Sequence, residues 1–236
     1  MDALTTPPPK RRIALIHALR NSVDPILGAF ERLWPEAETF NVMDDSLSAA
    51  VEADGRLTTP VIERFLALGR YAAATRVGGR RTDAILFTCS AFGQAIEAVQ
   101  SEQPIPVLKP NDGAFEKALA RGRRVGVLVT FRPSLDALSD ELRDLAARRG
   151  ITCDVRGVHV PGALAALQAG RGADHDGAIA AAAAALGDAD VIVLGQFSMA
   201  RARTAMDPAL QSRVLTTPDC AVDQLRARFV VDPVQT

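Results

Sequence analysis

Cysteine is scarce in this chain, with only Cys89, Cys153 and Cys220 among 236 residues. The number is odd, the three are far apart, and there is no C-x-x-C pair or histidine at ligand spacing. A disulfide framework and a structural zinc site are thereby excluded. A surplus of one charge is also missing: 27 Lys and Arg face 28 Asp and Glu, for a net charge of -1 and an isoelectric point near 6.3. Binding to phosphates needs a clustered basic surplus, so nucleic acid is not an expected partner. No long apolar run is present, since the longest, residues 178–186, is nearly all alanine and far below the roughly 20 residues that span a bilayer. After residues 5–9 and the basic Lys10-Arg11-Arg12, the apolar run 13–16 meets His17 and Arg20 too soon for an export signal. These absences predict a cytoplasmic protein with reduced thiols and no membrane partner. The P-loop, the dinucleotide-binding glycine fingerprint, H-E-x-x-H and G-x-S-x-G are all missing, which removes the main support for nucleotide, zinc-protease and serine-hydrolase chemistry.

What is present points to a globular α/β protein. Hydrophobic residues make up 48% and charged residues 23%, close to the globular average. The length suits two domains of roughly 100 residues. Short apolar runs at 13–16, 39–42, 84–87, 106–108, 125–129, 153–158, 191–194 and 214–215 alternate with helical patterns, the first at 25–33. Runs apolar on both faces and separated by helices read as buried parallel strands. Eight of them fit two small sheets better than one.

An internal repeat supports two sheets. A shift of 112 lays Arg12-Ile13-Ala14-Leu15-Ile16 on Arg124-Val125-Gly126-Val127-Leu128, and carries Arg20 to Arg132, Ser22 to Ser134 and Asp24 to Asp136. A shift of 107 lays Asp83-Ala84-Ile85-Leu86 on Asp190-Val191-Ile192-Val193, and carries Cys89 to Gln196 and Asp112 to Asp219. The pattern predicts two pseudo-symmetric α/β domains, each a small parallel sheet flanked by helices. The first is expected over residues 1–117 plus 209–236 and the second over 118–208. Ligand sites of parallel sheets lie beyond the carboxyl ends of the strands, so the loops at 17–22, 88–92, 130–134 and 195–199 should meet in an interdomain cleft.

Cys89 lies where a strand turns into a helix. The positive end of a helix favours a thiolate by about 0.3 to 1 kcal/mol, at most ~2, which lowers a thiol from ~8.5 by roughly 0.2 to 1.5 units. Cys153 in a strand and Cys220 on a helix read as structural. The segment Thr88-Cys89-Ser90-Ala91-Phe92-Gly93, together with Leu194-Gly195-Gln196-Phe197-Ser198 at the equivalent strand end, resembles the aspartate/glutamate (Asp/Glu/hydantoin) racemase superfamily from Arg12 to about Leu225. That resemblance implies a cofactor-independent, metal-free isomerase. In it a cysteine does acid/base work at the carbon alpha to the carboxylate of an amino acid or related small acid. Where the family carries a second cysteine, this chain has Gln196, which hydrogen-bonds but cannot exchange a proton near neutral pH. A single-cysteine decarboxylase or lyase, and a non-catalytic small-acid binder, are the alternatives.

The remaining candidates fall around these two positions. Thr88, Ser90, Thr130 and Ser198, with backbone N–H groups at the helix starts, form a carboxylate cradle, or else cap their helices, as Ser134 is expected to do. Ala91, Phe131 and Phe197 shape the side-chain pocket. Arg20 and Arg132 either clamp a carboxylate or form surface ion pairs. His17 is either a second acid/base opposite Cys89 or structural. His175 is read into a capping turn, Asp112 and Asp219 as N-caps, and Arg80-Arg81 as solvated turn charges. A small carboxylate is the expected partner, and a homo-oligomer is left open.

Overall fold

A computed structural model describes residues 10–229. The chain start at residues 5–9, and the outer ends of the spans 1–117 and 209–236, lie outside the described residues. The first sheet contains β1 (Arg12–His17), β2 (Glu38–Met43), β5 (Ala84–Phe87) and β6 (Val107–Leu108), in the order β2-β1-β5-β6. The second contains β7 (Arg124–Val129), β8 (Asp154–His159), β9 (Val191–Leu194) and β10 (Val214–Thr216), in the order β8-β7-β9-β10. Every ladder in both sheets is parallel. The orders coincide element by element, as the repeat predicts. All eight expected strands form, because β1, β5 and β9 are buried along their whole length. Duplication extends to the strand entrances: the Asp83 carboxylate accepts from the Arg12 N–H at 2.7 Å, and that of Asp190 from the Arg124 N–H at 2.9 Å. The Arg124 guanidinium beside Asp190 holds its carboxyl far below the usual range.

The helices are α1 (Val23–Leu33), α2 (Ser46–Asp54), α3 (Thr59–Ala74), α4 (Gly93–Glu102), α5 (Asp112–Arg121), α6 (Ser134–Arg148), α7 (Ala163–Gln168), α8 (Gly172–Ala184), α9 (Pro208–Arg213) and α10 (Thr217–Ala227). Arg80 and Arg81 are not merely turn charges. They form β4 (Arg80–Arg81), paired with β3 (Arg76–Val77) across Gly78 and Gly79, both at positive φ as a tight two-residue hairpin turn requires. Asp112 and Asp219 make no capping bonds: Asp112 opens α5 behind Asn111, and Asp219 pairs with Arg32 at 2.6 Å. His175 lies inside α8, fully buried, with Nδ1 2.8 Å from the Asp176 carboxylate.

The expected domain boundaries need correction. β10 falls within 209–236, yet it pairs with β9 in the second sheet. The two halves also exchange their last helices. α5 follows the first sheet, but Ala114, Phe115, Ala118 and Leu119 enter the core of the second beside Val125, Val127 and Val193. α10 follows the second sheet, but Ala221, Val222 and Leu225 enter the core of the first beside Ile13, Leu15 and Phe30. The exchange binds the halves through core packing. Each fully buried large apolar side chain stabilises the fold by about 1.5–3 kcal/mol.

The exchanged helices touch where Gly113 meets α10, since a Cβ on Gly113 would lie 2.5 Å from the backbone oxygen of Cys220. A carbonyl cannot rotate away as a side chain can. Gly113→Ala is therefore expected to force α5 and α10 apart and cost about 1–3 kcal/mol. Urea unfolding should show a lower midpoint; an unchanged midpoint would mean that the helices separate without cost.

Candidate active site

The carboxyl ends of β1, β5, β7 and β9 converge on one cleft of about 570 Å³, counted to its open mouth. Cys89 follows β5 and Gln196 follows β9, and both line it. Each is anchored by an aromatic residue that follows it, three positions on for Cys89 and the next residue for Gln196. Phe92 is buried and tilts against Phe65 with ring centroids 4.7 Å apart, while Phe197, also buried, packs into the core of the other half with Ile13 and Leu15. The loops that present the two side chains are thus fixed by core packing.

The two positions hold different atoms in equivalent surroundings. The amide oxygen of Gln196 accepts from the Thr130 N–H at 2.6 Å, the Thr130 hydroxyl at 2.8 Å and the Phe131 N–H at 3.2 Å. In the first half, the groups that favour a Cys89 thiolate are the backbone N–H groups of Ala18 and Leu19 and the hydroxyls of Thr88 and Ser22. The shift of 112 carries Ala18 to Thr130 and Leu19 to Phe131, so one backbone nest faces sulfur in one half and an amide oxygen in the other. With its oxygen engaged, Gln196 has its amide nitrogen left to donate.

Burial outweighs these donors at Cys89 and pushes the thiol up to about 11. This overturns the expected lowering by a helix end. Ser90–Phe92 is a 3-10 turn and α4 begins only at Gly93, whereas a helix dipole acts within its first turn. Desolvation of a half-buried thiol is the larger effect.

A family profile for Asp/Glu/hydantoin racemase matches residues 32–225. The chain belongs to the Asp/Glu/hydantoin racemase family. Solved structures share its fold at low identity. Glutamate racemase from Campylobacter jejuni subsp. jejuni is 12% identical, with TM-score 0.66 over 95% of this chain and 88% of that one. Allantoin racemase from Pseudomonas fluorescens is 16% identical, with TM-score 0.67 over 92% and 90%. The Gly74Cys mutant of arylmalonate decarboxylase is 17% identical, with TM-score 0.59 over 93% and 94%. No curated protein matches this racemase-family chain in sequence.

Of the residues expected at the site of this racemase-family member, Cys89, Gln196, Thr88, Ser90, Ala91, Phe131, Phe197 and Ser198 line the cleft. Thr130 acts through Gln196. Arg20 and Arg132 do not line it. Arg20 pairs with Asp45 at 2.8 Å and Arg132 with Asp136 at 3.4 Å, all four exposed, so they form surface ion pairs worth about 0–1 kcal/mol each. Nor does His17 stand opposite Cys89. β1 runs one residue further than the sequence pattern suggests, so His17 pairs within the ladder and is fully buried. Its Nε2 faces the Asn41 amide oxygen at 2.9 Å, and its Nδ1 meets Thr88 Oγ1 at 2.8 Å and Ser22 Oγ at 3.3 Å.

Sequence reasoning brought the loops 17–22 and 130–134 to the cleft but did not single out Ser22 and Ser134, which line it. Ser134 makes no capping bond and its hydroxyl lies 3.5 Å from that of Ser90. The signal existed, because the repeat superposes Ser22 on Ser134. Glu52 on α2 and Gln168 on α7 line the rim and carried no strand-end signal. No lysine or arginine lines the cleft among the described residues, so an anion there meets hydroxyls and amides, with the Glu52 carboxylate at the rim. No group of three or more His, Cys, Asp or Glu is placed to hold a metal ion among the described residues, nor is any described helix long and apolar enough to cross a membrane.

Burial lowers the pKa of His17 below 6.5. The unfolded chain therefore binds the proton more readily, and this part of the stability is present above pH 6.5 and lost as pH falls from there towards the folded value. Unfolding of wild type and His17→Gln, compared from pH 7.5 to 5, should show the difference in stability shrinking as pH falls. A difference independent of pH would mean that His17 is protonated equally in both states.

Proposed function

We propose that this chain is a cofactor-independent enzyme of the racemase and isomerase type, in which Cys89 moves a proton at the carbon alpha to the carboxylate of an amino acid or related small acid. The observation that carries this reading is the position of Cys89, at the end of β5 in a backbone nest and in the same cleft as its repeat equivalent Gln196. Family membership supports the class of reaction. A small cytoplasmic carboxylate fits the hydroxyl and amide donors along the cleft. In this reading the hydroxyls of Ser90, Ser134 and Ser198, which line the cleft, hold the carboxylate as it becomes enolate-like. A well-aligned donor of this kind contributes about 2.7–4 kcal/mol.

A specific observation favours a second reading, one-sided chemistry such as decarboxylation. Gln196 is held by three donors and has no proton to exchange. The Cys89 thiol, at about 11, carries its proton at neutral pH, which suits delivery to a carbanion formed by loss of carbon dioxide. Here Cys89 alone protonates one face.

Turnover in deuterium oxide of a panel of small amino acids, hydantoins and substituted malonates separates these readings. An isomerase washes deuterium into the alpha position of the recovered substrate, a decarboxylase labels only product, and a binding protein labels neither. Cys89→Ser should lower turnover by about 10²–10⁴-fold with the fold intact, and unchanged turnover would end the cysteine mechanism. Gln196→Cys should add racemising activity to a one-sided reaction. Product of one hand only from that variant would count against Gln196 standing on the opposite face.

A further inference from the structure

The carboxyl ends of β6 and β10 open onto two further cavities that the repeat relates, and the two are filled differently. Beside β6, Lys109 pairs with Glu97 at 2.6 Å and Glu141 at 3.5 Å, so that cavity closes its charges on itself. The shift of 107 carries Glu97 to Thr204 and Lys109 to Thr216, and the shift of 112 carries Ala29 to Glu141. Three charged side chains thus give way to two hydroxyls and a methyl group. The cavity beside β10 measures about 1260 Å³, counted to its open mouth, against about 840 Å³ for its counterpart. Thr216 lines it, is 6% exposed, and has no hydrogen-bond partner for its Oγ1 among the described residues. A threonine in this position ordinarily turns its oxygen onto an N–H of the first helical turn, but Thr216 caps no N–H of α10. Of the arginines that line the cavity, Arg32 pairs with Asp219 at 2.6 Å and Arg201 with Asp176 at 2.9 Å. Arg203, on the 3-10 segment Phe197–Ala205, donates to the Gln211 carbonyl at 3.3 Å and meets no carboxylate among the described residues. Asp24, on the α1 wall, likewise forms no ion pair among them. One cation, one anion and one buried hydroxyl are left over.

We propose that this cavity is a second ligand site, for a small zwitterion of the α-amino acid class, with the carboxylate on Arg203 and the Thr216 hydroxyl and the ammonium group on Asp24. A simple anion would leave Asp24 facing it, and a simple cation would leave Arg203 doing so. A ligand carrying both charges leaves neither. A guanidinium takes a carboxylate through two parallel N–H bonds, and the buried hydroxyl supplies a further donor whose lack of a partner is otherwise a cost. The site lies beside the cleft that holds Cys89 rather than within it. Ser198 lines both, whereas Cys89 and Gln196 do not line the second cavity. Occupancy therefore bears on the segment that follows Gln196.

The site does not depend on turnover, and its test uses the full chain carrying Cys89→Ser, so that no ligand is consumed and failure here is distinct from failure of the deuterium experiment. Glycine, alanine, serine and glutamine are titrated while nuclear magnetic resonance follows the backbone amides of Thr204 and Thr216 for this cavity and of Ala91 for the cleft. At least one of the four should give a saturable shift at Thr204 and Thr216. Acetate and methylammonium should bind there about tenfold or more weakly, and Arg203→Gln and Asp24→Asn should each weaken the amino acid by a similar factor, with melting and any response at Ala91 unchanged. Thr216→Val should also weaken it, and Thr216→Ser, which keeps the hydroxyl, should restore it. No saturable shift from any of the four, acetate binding as tightly as the amino acid, or an Asp24→Asn protein that binds it as tightly as its parent would each overturn the site.

Discussion

Two backbone N–H groups leave the carboxyl end of the first strand in each half with no ladder partner, and the site is built around satisfying them. Buried N–H groups must find an acceptor. The neighbouring strand ends beside them, so the side chain at that point decides what the acceptor is. In the second half it is the amide oxygen of Gln196, which takes both N–H groups and a hydroxyl. In the first half it is sulfur, a weak acceptor as a thiol and a strong one as a thiolate. One nest is filled by an amide oxygen, and the other faces a thiol whose ionisation it favours. The two halves thus differ at this one position, although their strand orders are the same.

That geometry would be useless if the halves moved freely, and each strand end is tied by the opposite half. Asn111, after β6, donates its side-chain N–H to the Gly195 carbonyl at 2.9 Å, immediately before Gln196. Lys109 joins Glu97 on α4 to Glu141 on α6. Phe197, next to Gln196, is part of the first-half core, and the exchanged helices α5 and α10 interlock both cores. Donors fixed before charge develops need no reorganisation when it does. Core packing at Phe92 and Phe197 thus fixes the loops that carry Cys89 and Gln196 as directly as the polar groups do.

Strands and their duplication were legible because a doubly covered parallel strand is apolar at every position, and the two copies kept that pattern. The strand-end rule then located Cys89, Gln196 and most of the cleft. The misreadings have physical causes. An amphipathic helix does not encode which sheet its apolar face meets: the expected return of the chain's end to the first half holds for α10, whereas α5 and β10 belong with the second. A single extra residue in β1 turned His17 from a loop residue into a buried ladder position. Arg20 and Arg132 repeat faithfully because their surface does, not because a ligand holds them. Ser134 was visible as the partner of Ser22, but a serine opening a helix reads first as a cap. Desolvation of Cys89 depends on neighbours from several elements, which no local pattern counts.

The absence of a lysine or arginine along the described cleft bears on the chemistry that it suits. A fixed cation would stabilise bound carboxylate and the developing enolate alike, and equal stabilisation of ground and transition states does not speed a reaction. Neutral hydroxyls and amides discriminate better, since hydrogen bonds to a charged acceptor are roughly twice as strong as neutral ones and strengthen as negative charge builds up on oxygen. The same reasoning applies to Cys89. A thiol that burial keeps protonated adds no negative charge beside an incoming carboxylate, which leaves Glu52 at the rim as the acidic side chain lining the described cleft. In the proposed reaction charge appears on Cys89 only at proton transfer, and Ala18, Leu19 and Thr88 are among the groups that favour it there.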